Sequence, residues 1–203
     1  MATTTTNYGF DIPQSTDLVK DGATAIATLG QDIDTAMNTA LGTKKAGMVL
    51  LNTTSFSAVA SQSFNNVFSA SYKKYKFIGN ILQAGATSCI FRLRASGTDA
   101  SGSNYVRTNY LLTSAPGITA QTGTGTSFSL ADDTASRNIF FDFDLYDPFG
   151  TVNTNILYNT GFSGAGGRNG NVLHNLTTSY DGFSIIAGVS TISGEISVYG
   201  YNE

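Results

Sequence analysis

The sequence predicts a mainly β protein: a C-terminal antiparallel β-sandwich of jelly-roll type, preceded by an extended N-terminal arm and one oligomerising α-helix. Three observations lead there. Apolar residues are spaced for a helix as far as Ala46-Gly47 and alternate with polar ones beyond it, as strands do. No helical run of useful length interrupts the strands after that point, which argues against βαβ units and a parallel sheet. The strands are many and short and are punctuated by Gly and Asn, the pattern of two packed antiparallel sheets. The expected division is residues 1–46 for the arm and helix (about 17–41) and residues 47–203 for the sandwich.

The arm comes first. Ala2 to Gln14 carries a threonine tract and then Asn7-Tyr8-Gly9-Phe10-Asp11-Ile12-Pro13. Tyr8, Phe10, Ile12 and Pro13 lie in a stretch too short to build a core. Such a peptide either buries its apolar groups on a partner surface or frays.

The helix follows. Ser15, Thr16 and Asp17 are N-cap residues, and Asp17 and Asp21 suit the positive end of the helix dipole. Val19, Gly22, Ile26, Leu29, Ile33, Ala36 and Ala40 recur in an a/d heptad pattern, Met37 and Leu41 widen the stripe, and Gly42 is a stop. A helix from Asp17 to Leu41 is about 37 Å long. Gly22 and Gly30 each cost it about 1 kcal/mol relative to alanine, and its threonines weaken it further. Such a helix needs a partner for Val19, Ile26, Leu29, Ile33 and Met37, either the following domain or copies of itself. The small residues at Gly22, Ala36 and Ala40 permit the close approach of copies.

About nine or ten strands are expected after Gly47. Met48 to Leu51 opens, and Phe56 to Val67 is a Ser-rich stretch with isolated hydrophobes. Alternation is clearest at Asn138 to Tyr146, where Ile139, Phe141, Phe143 and Leu145 oppose Phe140, Asp142, Asp144 and Tyr146. Three stretches read as exposed loops: Gly97 to Ser103, Pro116 to Thr126, and the glycine-rich Gly161 to Asn171. Asp99, Ser101, Asn104, Tyr105, Arg168 and Asn169 in and beside them are the candidate distal contacts, since sandwich proteins carry binding function in loops. Tyr72, Tyr75, Tyr105, Tyr110, Tyr158, Tyr180, Tyr199 and Tyr201 read as exposed tyrosines suited to sugar faces or protein interfaces.

Composition excludes several classes. Only 12% of the 203 residues are charged and the net charge is −3, which gives no basic footprint for nucleic acid. No apolar run is long enough to span a membrane. Cys89 is the single cysteine, so no internal disulfide forms, and its apolar surroundings suit a small buried thiol. Met1 to Thr6 has neither a basic nor an apolar signal region, so folding in a cytoplasm is expected.

No cofactor, metal or catalytic set is expected. The loop around Arg168 is not a GxxxxGK[ST] phosphate loop. Asp142, Asp144 and Asp147 match no calcium spacing, and pairing across strands with Arg92, Arg94 or Arg107 is the simpler reading. His174 is the only histidine, no GxSxG serine accompanies it, and one His with one Cys makes no zinc site.

The run Asn7-Tyr8-Gly9-Phe10-Asp11-Ile12-Pro13-Gln14-Ser15-Thr16-Asp17, with Val19-Lys20-Asp21-Gly22-Ala23 and the helix to Leu41, resembles the N-terminal module of bacteriophage virion proteins, especially tail-fibre and other appendage proteins. Met48 to Phe56, Phe68 to Tyr72 and Phe91 to Gly97 resemble the β domain that accompanies it. The resemblance covers most of the chain. It implies a homotrimer found in the virion, docked on other tail or capsid proteins through Tyr8, Phe10, Ile12 and Pro13, and trimerised by the helix. It also implies a jelly roll that presents its distal loops to a host surface glycan or protein. No extended shaft or repeat is present, which implies a short tail fibre or receptor-binding protein, or else a capsid decoration protein of the head. It carries over no catalytic residue.

Overall fold

The computed structural model describes residues 3–6, 9–12, 18–41, 47–85, 88–113, 117–131, 136–163 and 166–202. The chain divides into two compact units, Met1–Gly47 and Met48–Glu203.

In the first unit, β1 (Thr3–Thr4) pairs antiparallel with β2 (Asp11–Ile12). The turn between them is closed by backbone bonds from Thr5 N to the Phe10 carbonyl (2.8 Å) and from Gly9 N to the Thr5 carbonyl (3.0 Å), and Thr5 Oγ1 accepts from Phe10 N at 2.9 Å. This part of the arm is therefore a small hairpin and not an extended peptide. Helix α1 runs Val19–Leu41, two residues shorter at its start than the heptad reading. Its expected caps Ser15, Thr16 and Asp17 lie outside the described residues. Thr28 Oγ1 donates to the Thr24 carbonyl at 3.0 Å, so this threonine's hydroxyl is absorbed by its own helix.

The second unit is an antiparallel sandwich of two unequal sheets. The described strands are β3 (Met48–Val59), β4 (Ser61–Phe64), β5 (Lys74–Gln83), β6 (Cys89–Ala95), β7 (Thr98–Asp99), β8 (Tyr105–Thr113), β9 (Ile118–Gly125), β10 (Phe128–Ala131), β11 (Asn138–Tyr146), β12 (Thr154–Phe162), β13 (Gly166–His174), β14 (Gly182–Ala187) and β15 (Ile192–Tyr201). The larger sheet has eight strands in the order β3-β15-β5-β11-β12-β13-β8-β9; the smaller has five, β10-β6-β14-β4 with β7 added beside β6.

Several boundaries differ from those the sequence predicts. Met48 to Val59 is one continuous strand, and the chain changes sheet near Ala60 instead of running on to Val67. The expected loop Pro116 to Thr126 contains β9, and the expected loop Gly161 to Asn171 takes in the last two residues of β12 and the first six of β13. Gly97 to Ser103 holds the short strand β7 after a tight turn, where Ser96 and Gly97 take φ of 48° and 79°.

The period-two pattern places one face of each central strand inside. From the large sheet come Tyr75, Phe77 and Ile81 of β5, Phe141 and Phe143 of β11, and Ile196 and Val198 of β15; from the small sheet come Phe91 and Leu93 of β6, and Phe183 and Ile185 of β14. Cys89 is fully buried here, and burial pushes its thiol up to about 12, which removes it from thiolate chemistry. A clip holds the β6–β7 turn down. Arg94 donates to the Asp99 carboxylate and the Gly97 carbonyl, to Ser184 Oγ at 2.8 Å and to Asn65 Oδ1 at 3.1 Å. Ser184 Oγ in turn donates to Asp99 at 2.8 Å. Arg94→Ala leaves that partly buried carboxylate without its cation. It is expected to cost about 2 kcal/mol by chemical denaturation, and Arg94→Lys to recover only part of the loss because it lacks the guanidinium fork.

Candidate functional site

The outer face of the eight-stranded sheet carries most of the exposed apolar surface of the sandwich. Strand alternation puts the odd-numbered residues of β11 inside, and Asn138, Phe140, Asp142, Asp144 and Tyr146 on the outer side. The strand registers extend this into rows across the sheet. Phe140 lies beside Asn80 on one side and Gly161 on the other, and the row continues through Gly167 and Leu112 to Ile118. The next row runs Ile78, Asp142, Asn159, Asn169, Tyr110, Ala120, and the one after it Lys76, Asp144, Leu157, Asn171, Thr108, Thr122.

Phe140 (53% exposed), Ile78 and Leu82 stand exposed near the middle of this face, Leu157, Tyr110, Leu112 and Ile118 (68%) toward the β9 edge, and Met48 and Leu50 at the β3 edge. Only Phe149, Val152, Leu176 and Val189, all outside the strands, are comparably exposed among the described large apolar residues of this unit. Between Phe140 and Leu112 the row has no side chains, because Gly161 and Gly167 occupy it. The two flanking side chains are three strand spacings apart, about 14 Å. Beside this gap a shallow hollow of about 310 Å³ is lined by Asp142, Leu157, Asn159 and Asn169.

Four of the charges on the face compensate one another. Lys76 pairs with Asp142 and lies 3.9 Å from Asp144, and Lys74 is also 3.9 Å from Asp144. The Lys74 ammonium sits 4.3 Å from the ring centre of Tyr201 and 5.0 Å from that of Tyr146. Tyr201 donates to Asp144 at 2.9 Å; burial, and then this carboxylate, push its phenol up to about 12. Glu195 accepts from Ser55 Oγ at 2.7 Å. The aspartates thus pair across strands, but with lysines of β5 and not with Arg92, Arg94 or Arg107; Arg92 donates instead to the Thr126 carbonyl at 3.1 Å.

The candidate distal contacts are not brought together. Tyr105 is buried, correcting its placement on the surface: its hydroxyl donates to the Ala100 carbonyl at 3.0 Å and accepts from Leu93 N at 2.9 Å. Arg168 is also buried, on the inner face of β13 opposite Thr160 and Leu111, so it is no exposed loop cation. Asp99 is half-buried in the Arg94 clip, Ser101 is exposed, and Asn104 is half-buried, its carbonyl accepting from Asn175 N at 3.0 Å. Asn169 alone projects onto the outer face. Tyr105 pairs with His174, six residues along β13 from Arg168, so the two groups lie about 20 Å apart.

Half of the tyrosines expected at the surface belong to the core. Tyr75, Tyr105, Tyr158 and Tyr180 are buried, Tyr72, Tyr199 and Tyr201 half-buried, and Tyr110 exposed. His174 is fully buried between Tyr105 and Tyr180, with ring centres 4.5 and 5.2 Å away. Among the described residues, no group of three or more His, Cys, Asp or Glu side chains is placed to hold a metal ion. Also among them, no helix is long and apolar enough to cross a membrane.

In the first unit, Tyr8 and Pro13 lie outside the described residues, Phe10 is half-buried, and Ile12 is exposed. On α1, Val19 is 95% exposed, Ile26, Ile33 and Met37 are exposed, and Leu29 is half-buried.

Sequence reasoning missed the outer apolar face. Its signal is present where both parities of a strand are apolar, as at Phe77-Ile78, Ile81-Leu82 and Leu111-Leu112. A strand with one wet face has no local reason for the second hydrophobe. No protein family model matches the chain, and no curated protein matches it.

Proposed function

We propose that the chain is a non-enzymatic, multi-copy particle protein: a short trimeric tail fibre or receptor-binding protein of a bacteriophage, docked by its N-terminal segment and presenting its sandwich outward. The observation that carries this reading is the heptad stripe of α1, Val19, Ile26 and Ile33 with Met37 beside it, which the described residues of its own unit leave exposed on a helix too weak to stand in water alone. Copies of the helix cover such a stripe at a/d positions, and Gly22, Ala36 and Ala40 let them approach. The phage assignment itself rests on the resemblance of the N-terminal module and of the β-domain stretches.

Ile26→Asp with Ile33→Asp places two carboxylates in that seam. Burying each unpaired costs about 3 kcal/mol or more, so light scattering is expected to show the trimer lost while circular dichroism retains the β signal. A chain that scatters as a monomer before any substitution defeats the proposal. Removal of Ala2 to Gln14 is expected to leave the trimer intact and abolish its incorporation into particles; normal incorporation would reject docking by this segment. Low copy number per particle fits the tail, and high copy number the head.

A further inference from the structure

We propose that the outer face of the eight-stranded sheet, centred on the gap between Phe140 and Leu112, is buried against a second copy of this chain. The inference goes beyond association through the helix and does not depend on it.

Area is the first reason. Nine exposed apolar side chains stand on this face; at on the order of 80 Å² each they leave roughly 700 Å² of apolar surface across it, close to the ~800 Å² per partner of a stable interface. Charge is the second. Lys74, Lys76, Asp142 and Asp144 neutralise one another within the face. Glu195, held by Ser55 Oγ toward the β3 edge, is the one further acid in these rows, so two copies meet with little like-charge repulsion at the gap, while a strongly acidic or basic partner finds no complementary field there. Chemistry is the third. Asn159, Asn169 and Asn171 stand in adjoining rows with both donors and acceptors, so the face can satisfy the polar groups of whichever surface a neighbouring copy turns toward it. Shape is the fourth. Gly161 leaves the floor of the gap open: a Cβ added there meets nothing within 4 Å among the described residues, and its φ is not in the left-handed region. A side chain from the facing copy can enter a gap that the chain itself does not fill.

The same geometry makes Gly161 a clean probe, since a substitution adds atoms to the gap without displacing any. Leu112→Cys in the full chain places a reporter thiol beside it, and Val189→Cys, at a site 86% exposed, serves as the control. The native Cys89 is buried and does not report. If the face is covered nine-tenths of the time, maleimide alkylation at Leu112→Cys is slowed roughly tenfold relative to Val189→Cys. Adding Gly161→Glu, or Phe140→Lys as a second disruption, is expected to bring the two rates together while circular dichroism is unchanged.

Equal rates without either disruption overturn the proposal, as does protection that both disruptions leave in place. Protection in a chain that scatters as a monomer, or protection relieved by Phe10→Asp with Ile12→Asp, overturns it too by making the cover intramolecular. Ile26→Asp with Ile33→Asp separates the two associations. Loss of the trimer with protection retained in a smaller assembly places this contact outside the helix, and a native monomer defeats the helix reading on scattering alone.

Discussion

Phe77→Ala is expected to lower the stability of the sandwich by about 4 kcal/mol, the middle of the range for aromatic truncations in a packed core. Phe77 is fully buried where the two sheets meet. Its ring stacks on Phe143 at 4.3 Å, meets Phe183 edge-on at 4.9 Å, and reaches Phe91 at 6.0 Å and Phe68 at 6.1 Å. Phe143 belongs to the large sheet, and Phe91 and Phe183 to the small one, so the vacated space lies between layers tied by their own ladders. Neither sheet can move in freely to fill it. Urea denaturation should show a lower midpoint with an unchanged slope. Phe77→Leu, which keeps most of the volume, is expected to lose about 1–2 kcal/mol. A loss under about 1 kcal/mol for the alanine variant would show that these rings do not form the joint between the sheets.

Acid should destabilise the fold through His174. Burial pulls this imidazole down from its ordinary 6.5 to about 4. The Tyr180 hydroxyl is 3.4 Å from Nδ1, and Nε2 has no hydrogen-bond partner among the described residues. The ring is thus neutral in the fold and takes up a proton more readily once unfolded. Between pH 6.5 and 4 the unfolded chain binds the extra proton, so stability falls as pH falls through that window. At about 1.4 kcal/mol per pKa unit, the stabilisation present above pH 6.5 and lost below pH 4 is about 3 kcal/mol. Thermal or urea midpoints of the native chain and of His174→Gln, followed over that range, isolate the effect because the carboxylates titrate in both. The gap between the two profiles should close or invert on acidification; parallel profiles would mean that His174 is solvated in the folded chain.

The fold class was legible where one strand face is apolar and the other polar. Asn138–Tyr146 is the clearest case, since its alternation follows the buried and exposed faces of β11. Elsewhere the strand is decided by its neighbour in the sheet and not by its own pattern. Strand β9, Ile-Thr-Ala-Gln-Thr-Gly-Thr-Gly, has almost no apolar content and reads as a loop; it is a strand because β8 offers it a ladder from Tyr105–Gly125 to Leu112–Ile118. The glycines of β13 resemble a flexible loop, yet a Cβ at Gly170 would stand 2.4 Å from that of Asn109 on the adjacent strand. Backbone crowding, not mobility, requires glycine there.

The buried tyrosines escaped for a related reason. Tyr75 accepts from Ser69 N at 2.8 Å and donates to the Ser69 carbonyl at 3.0 Å, and this satisfied hydroxyl lets the ring go inside. Alternation beside polar residues looks the same whether or not such a partner exists. For Asp142 and Asp144, cross-strand pairing was readable but the partner was not, because only the topology sets β5 beside β11.

The pairing of β3 with β15 has a temporal consequence. Thr53 and Ser197, hydrogen-bonded at 2.9 Å, are 144 positions apart in the chain. At about 5–20 residues per second, a ribosome needs roughly 7–30 s to cover that interval, during which β3 has emerged and its eventual neighbour has not. β15 lies between β3 and β5, so the two earlier strands cannot take their final places side by side before it arrives. Newly made chains of this protein must therefore pass through a stage with an open β5 edge and a stranded first ribbon, which makes the nascent sandwich most vulnerable to mispairing just before its closing strand is synthesised.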